Sequence, residues 1–63
     1  MNRTIERAYD MLNIVARSKD GLSLVDIINE MNIPKSSAFD ILHSLVSLRM
    51  IEPSRFNDKK YVL

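Results

Sequence analysis

The stretch GLSLVDIINEMNIPKSSAFDILHSL, residues 21–45, holds two helical patterns separated by the turn Asn32-Ile33-Pro34. Its second half opens with a proline, a lysine and two serines, the chemistry of a helix start. Apolar residues at helical spacing follow. Two short helices joined by so tight a turn form the centre of a helix-turn-helix. In the first half, Ser23 and Asp26 approximate a capping box, with Asp in place of the usual Glu or Gln. Leu24, Ile27, Ile28 and Met31 then mark the buried face of a helix of about eight residues. Leu22 can add a very short strand ahead of it. Ile33 precedes a proline and is expected to be extended. The spacing predicts the next helix over about Lys35–Arg49, with Ala38, Ile41, Leu42, Leu45 and Leu48 facing the core. Ser36, Asp40, His43 and Ser47 then share the opposite side, flanked by Phe39 and Ser44.

Outward from that centre, residues Thr4–Ser18 carry Ile5, Ala8, Tyr9, Leu12, Val15 and Ala16 at the spacing of one helical face. Thr4 is the expected N-cap, and SKDG at 18–21 ends the helix with turn formers. Ile14, with Met11 beside it, falls off that face. Downstream, Ile51 and Pro53, then Tyr61 and Leu63, alternate as strands do, with the turn-forming run SRFNDK between them. A β-hairpin is predicted, its tip bearing Arg55, Phe56, Asn57, Asp58, Lys59 and Lys60. Pro53 has no N–H to give a ladder and suits an edge. The expected fold is mainly α with a small β-hairpin, a three-helix winged helix-turn-helix.

A chain of 63 residues is one domain. It buries only about 60% of its unfolded surface, so its stability is marginal. With no cysteine there is no disulfide, thiolate nucleophile or thiolate metal site. Polar residues interrupt MNRTIERAYDML every few positions, which suits neither a signal peptide nor a membrane span. The expected location is the cytoplasm. One glycine in the chain excludes a glycine-rich phosphate loop. The acids are dispersed, no nucleophile–base set is apparent, and no enzyme or cofactor is expected. His43 is the lone histidine, which argues against a metal site. The net charge of +1, from nine basic and eight acidic groups, leaves nucleic-acid binding to depend on where the basic groups sit.

Four stretches together resemble the N-terminal DNA-binding domain of IclR-family bacterial transcription regulators. They are IERAYDML, GLSLVDIINEMNIPKSSAFDIL, LVSLRMIEP and KKYVL. The resemblance implies a homodimeric regulator, expected to be a repressor, on a pseudo-palindromic double-stranded operator. Family members usually carry a larger C-terminal effector-binding domain. None follows here, so an isolated domain of residues 1–63 without an effector site, and a weak dimer, are expected. In two places the chain departs from the family pattern. Asp40 stands where arginine is common, and Met50 stands where glycine is common.

Each candidate contact has a plain reading beside the functional one. Ser36 and Ser37 can cap the helix, and can also donate hydroxyls to phosphate or base edges. Lys35 is either solvated or on a phosphate. Phe39 packs on a neighbouring element or meets a thymine methyl. Asp40 repels phosphate, or accepts from cytosine N4, or holds a basic neighbour. His43 is a surface side chain or a phosphate contact. Arg55, Lys59 and Lys60 solubilise the wing or lie along the DNA backbone. Arg7, matching the family's arginine, pairs within its helix or reaches a phosphate. Met11 and Ile14, apolar on the outer face of the first helix, suggest self-association there, as in the family's dimers. The main alternative function is a winged helix used for protein–protein contact, favoured by the near-neutral charge and Asp40. Single-stranded nucleic-acid binding is a weaker one, because no aromatic platform is evident.

Overall fold

The computed structural model describes residues 2–63. Three helices come first, and the elements run α1 (Arg3–Arg17), β1 (Leu22–Ser23), α2 (Leu24–Met31), α3 (Lys35–Ser47), β2 (Glu52–Pro53) and β3 (Lys60–Val62). This is the three-helix winged helix-turn-helix expected, mainly helical, with β1 adding a third strand to the hairpin.

The cap of α1 is Asn2 rather than Thr4. Its Oδ1 accepts from the backbone N–H of Thr4 at 2.8 Å and of Ile5 at 3.2 Å. Asn is among the best N-caps because its short side chain reaches those free donors. At α2 the capping box is complete. Asp26 N–H donates to Ser23 Oγ and Ser23 N–H to Asp26 Oδ2, each at 3.2 Å. The helix closes on Asn32, which takes the left-handed conformation at φ 53° and donates its N–H to Ile28 O at 2.8 Å.

The end of α3 falls two residues short of Arg49. Arg49 N–H donates to Val46 O at 3.0 Å, and Met50 N–H to Leu45 O at 2.9 Å. These paired bonds are the Schellman closure, in which the residue after the cap sits left-handed, usually as glycine. That residue is Arg49, at φ 63°. The conformation that favours glycine thus belongs to Arg49, one position before Met50.

Met11, Val15, Ile27, Ala38, Ile41, Leu42, Leu45 and Ile51 form the buried core. Ala8, Leu12, Ile14, Leu22, Leu24, Met31, Val46 and Tyr61 pack against it. The predicted face of α3 holds, except that Leu48 is exposed beyond the end of its helix. On α2, Ile27 is buried and Leu24 and Met31 pack on the core, while Ile28 is only half-buried. The face of α1 is turned from the prediction. Met11 is fully buried, while Ile5 and Tyr9 leave 64% and 66% of their surfaces in solvent. Ala16 is exposed as well.

The sheet order is β1-β3-β2, antiparallel throughout. Leu22 pairs with Tyr61 and Ser23 with Lys60 on one side of β3; Glu52 pairs with Val62 and Pro53 with Tyr61 on the other. Pro53 occupies an edge strand, where its missing N–H is harmless. Gly21 lets β1 approach β3. Its φ is +87°, and an added Cβ would stand 2.8 Å from Tyr61 O. No described helix is long and apolar enough to cross a membrane.

Candidate nucleic-acid interface

The first turn of α3 is open. Pro34 occupies the N-cap at φ −59°, and no side chain caps the helix. Ser36 and Ser37 are therefore not caps, which corrects the plain reading of both. Proline brings a preset φ but no side-chain acceptor. The N–H groups of the first turn then remain for water or an anion, with the positive end of the helix dipole behind them. Lys35 and Ser36 are exposed there, and Ser37 is half-buried.

Further along α3, Phe39, Asp40 and His43 all face solvent. Phe39 keeps half its surface exposed, at 50%. Its ring stacks on that of His43, one helical turn on, with centroids 5.3 Å apart and planes at 24°. Such a stack is worth about 0.5–1.5 kcal/mol and holds both rings in one orientation. Ser44 turns its hydroxyl back to the Asp40 carbonyl at 2.9 Å, so that hydroxyl is occupied within the helix. The outer surface of α3 is thus a lysine and serine at the start, an aromatic pair in the middle, and one carboxylate beside that pair.

The wing tip is closed by its own hydrogen bonds. Ser54 N–H donates to Lys60 O at 2.8 Å, and Lys60 N–H to Asn57 O at 3.0 Å. Phe56 N–H donates to Ser54 Oγ at 3.2 Å, and Lys59 N–H to Asn57 Oδ1 at 3.0 Å. Arg55 and Lys59 are exposed on this tip. Lys60 is not part of the tip: it lies half-buried in β3, opposite Ser23.

On α1, Arg7 is half-buried. It lies on an open concavity with Ile5, Tyr9, Ile14, Met31 and Ile33, between the outer side of α1 and the end of α2. Charges of both signs surround these apolar groups: Arg3, Arg7 and Arg17 with Glu6, Asp10 and Glu30. Met11 is absent from this surface. It sits in the core, and its expected place in a subunit interface is corrected by its burial. Ile14 lies partly against the core and partly on the concavity.

Two exposed features fall outside the predicted set. Ile5 and Tyr9 belong to the predicted core stripe but are exposed. Phe56 falls in the predicted turn, although an aromatic inside SRFNDK is out of keeping with turn composition.

Three helices with a tight turn before the third, and a hairpin after it, define a winged helix-turn-helix. The chain matches the family model of the IclR helix-turn-helix domain over residues 4–55, from the first turn of α1 to the wing tip. It belongs to that family, a DNA-binding family of transcription regulation rather than of enzymes. No curated protein and no solved structure matches the chain.

Proposed function

We propose that this domain binds double-stranded DNA sequence-specifically, with α3 in the major groove and the wing along the backbone. The observation that carries the reading is the uncapped start of α3, with Lys35 and Ser36 exposed beside its free N–H groups. A helix N-terminus of this kind suits a phosphate, which fixes the register of the helix in the groove. Ser37, Phe39, Asp40 and His43 are then the side chains that reach base edges. Arg7, Arg55, Lys59 and Lys60 are candidates for the sugar–phosphate backbone.

Two copies would bind a pseudo-palindromic operator in the cytoplasm. Their contact is the outer side of α1, through Ile5, Tyr9 and Ile14, where the mixed charges can pair across a two-fold axis. The dimer is weak, because so small a patch buries little area.

Selection from random duplex DNA at two salt concentrations, using a covalently linked dimer, tests this reading. A two-fold motif should emerge at low salt. The logarithm of affinity should fall against log salt with a slope of about −0.9 for each phosphate neutralised. Alanine at Lys35 or Arg55 should make that slope shallower by about one unit. Failure to enrich any motif would sink sequence-specific recognition and leave protein–protein contact as the better account.

A further inference from the structure

Phe56 is the most exposed of the large hydrophobic side chains described, with 98% of its surface in solvent. Burying such a ring is favourable, and the core makes no use of this one. A single exposed hydrophobic residue is ordinary on a protein surface. This one stands at the end of a hairpin whose tip is fastened by four hydrogen bonds, one of them from its own N–H. Arg55 precedes it and Lys59 follows. On the tip itself, residues 55–59, there are two basic side chains, Arg55 and Lys59, and one acid, Asp58.

A ring that gains by leaving water, set between cations that gain by meeting anions, needs a partner offering both at close range. The minor groove of DNA does so. Its phosphates run as two rails a few ångströms apart, and base steps that can be parted lie between them. An anionic membrane offers a similar pairing, but the chain's membership of a DNA-binding family favours the duplex.

We propose that Phe56 is a wedge carried on the wing tip, entering the minor groove and partly unstacking a base step. Arg55 and Lys59 hold the flanking phosphates. The inference rests on the DNA-binding reading and adds to it a residue and a distortion of the DNA. Pyrimidine–purine steps part most easily, so they should be preferred where the wing lands. Because the ring is almost wholly exposed, its removal should leave the fold intact.

The test uses duplexes enriched by selection with the unaltered chain, labelled at both ends to report bending. 2-Aminopurine placed at successive steps beneath the wing reports unstacking. Phe56→Ala should bind about tenfold more weakly, in keeping with the loss of one ring–base contact. It should lose the bend and the 2-aminopurine signal, while the salt slope and the unfolding midpoint stay unchanged. Phe56→Leu should keep most of the bend, since an aliphatic wedge also parts a step. Arg55→Ala should do the reverse, lowering the slope by about one and keeping the bend.

If the unaltered chain binds duplex DNA and Phe56→Ala neither weakens nor straightens it, the wedge is overturned and the DNA-binding reading stands. If the unaltered chain binds no duplex, both fall. Vesicles containing phosphatidylserine form the last arm. Binding there that depends on Phe56, with no effect of Phe56 on DNA, overturns the proposal in favour of a membrane surface.

Discussion

The outer faces of α1 and α3 differ although the two helices share a core. Inward, both are apolar: Met11 and Val15 on α1 meet Ile41, Leu42 and Leu45 on α3 within one buried cluster. Outward, α3 shows Lys35, Ser36, Asp40 and His43 with one large apolar ring, Phe39. The outer side of α1 instead shows Ile5 and Tyr9 within a ring of both charges. A polar face with an open helix start suits a hydrated, anionic partner such as DNA. An apolar face with balanced charges suits another copy of the same surface. On the proposed reading, base readout and self-association fall on separate helices, and Arg7 is the one residue of the α1 concavity that is also proposed for the DNA backbone.

The sharpest way to break this comparison is at the two sides of α1. Met11→Ala should cost about 2–5 kcal/mol, the usual range for truncating a long buried side chain. In a domain this small that is enough to unfold much of the population, as urea titration followed by circular dichroism will show. The double change Ile5→Ser and Tyr9→Ser should leave the fold within about 0.5 kcal/mol, as surface substitutions do. It should nonetheless weaken self-association in sedimentation equilibrium. A dimer unaffected by the double change would remove α1 from the interface.

On α3 the corresponding change is Asp40→Asn. If the carboxylate reads cytosine N4, one base position should lose preference by about 1–3 kcal/mol. If Asp40 only repels the backbone, binding should tighten equally on every sequence. Competition assays on duplexes with single substitutions separate the two outcomes.

The smallest expected effect lies at the end of α3. A non-glycine residue in the left-handed region is held there against its steric preference, at a cost of about 1–2 kcal/mol. Part of that is offset because glycine gains more entropy on unfolding. Arg49→Gly should therefore raise stability by about 0.5–1 kcal/mol, read as a higher denaturation midpoint. Loss of stability would mean that the Arg49 side chain contributes more than its backbone costs.

The same comparison shows how far the sequence could be read. The core face of α3 was legible because its apolar residues, Ala38, Ile41, Leu42 and Leu45, form one stripe with polar residues opposite. On α1 the apolar arc is broad: the predicted face runs from Ile5 and Tyr9 to Ala8 and Val15, and Met11 lies just past its edge. Helical period identifies such an arc but not where along it the core sits. Only the packing of Met11 against its neighbours decides that. The capping box was visible because its two partners sit at a fixed spacing. The sequence does not single out Asn2 as the cap, because Thr4, also a good cap, stands two positions on. The closure at Arg49 carried no glycine to mark it. At the candidate interface, residue types pointed to the start of α3 and to the basic wing. The open first turn, the Phe39–His43 stack and the exposure of Phe56 depend on backbone path and neighbours, which composition does not encode.

The place of β3 at the centre of the sheet bears on how the chain acquires its shape. Both other strands take their hydrogen bonds from residues 60–62, and Ser23 meets Lys60 across more than thirty residues of intervening chain. The helices need only local contacts and can form early, whereas distant strand pairing is slow. During synthesis the N-terminal part emerges first. Neither edge of the sheet can be satisfied until β3 has left the ribosome. Until then Leu22 and Pro53 belong to strands without a partner, and the wing exists only as sequence.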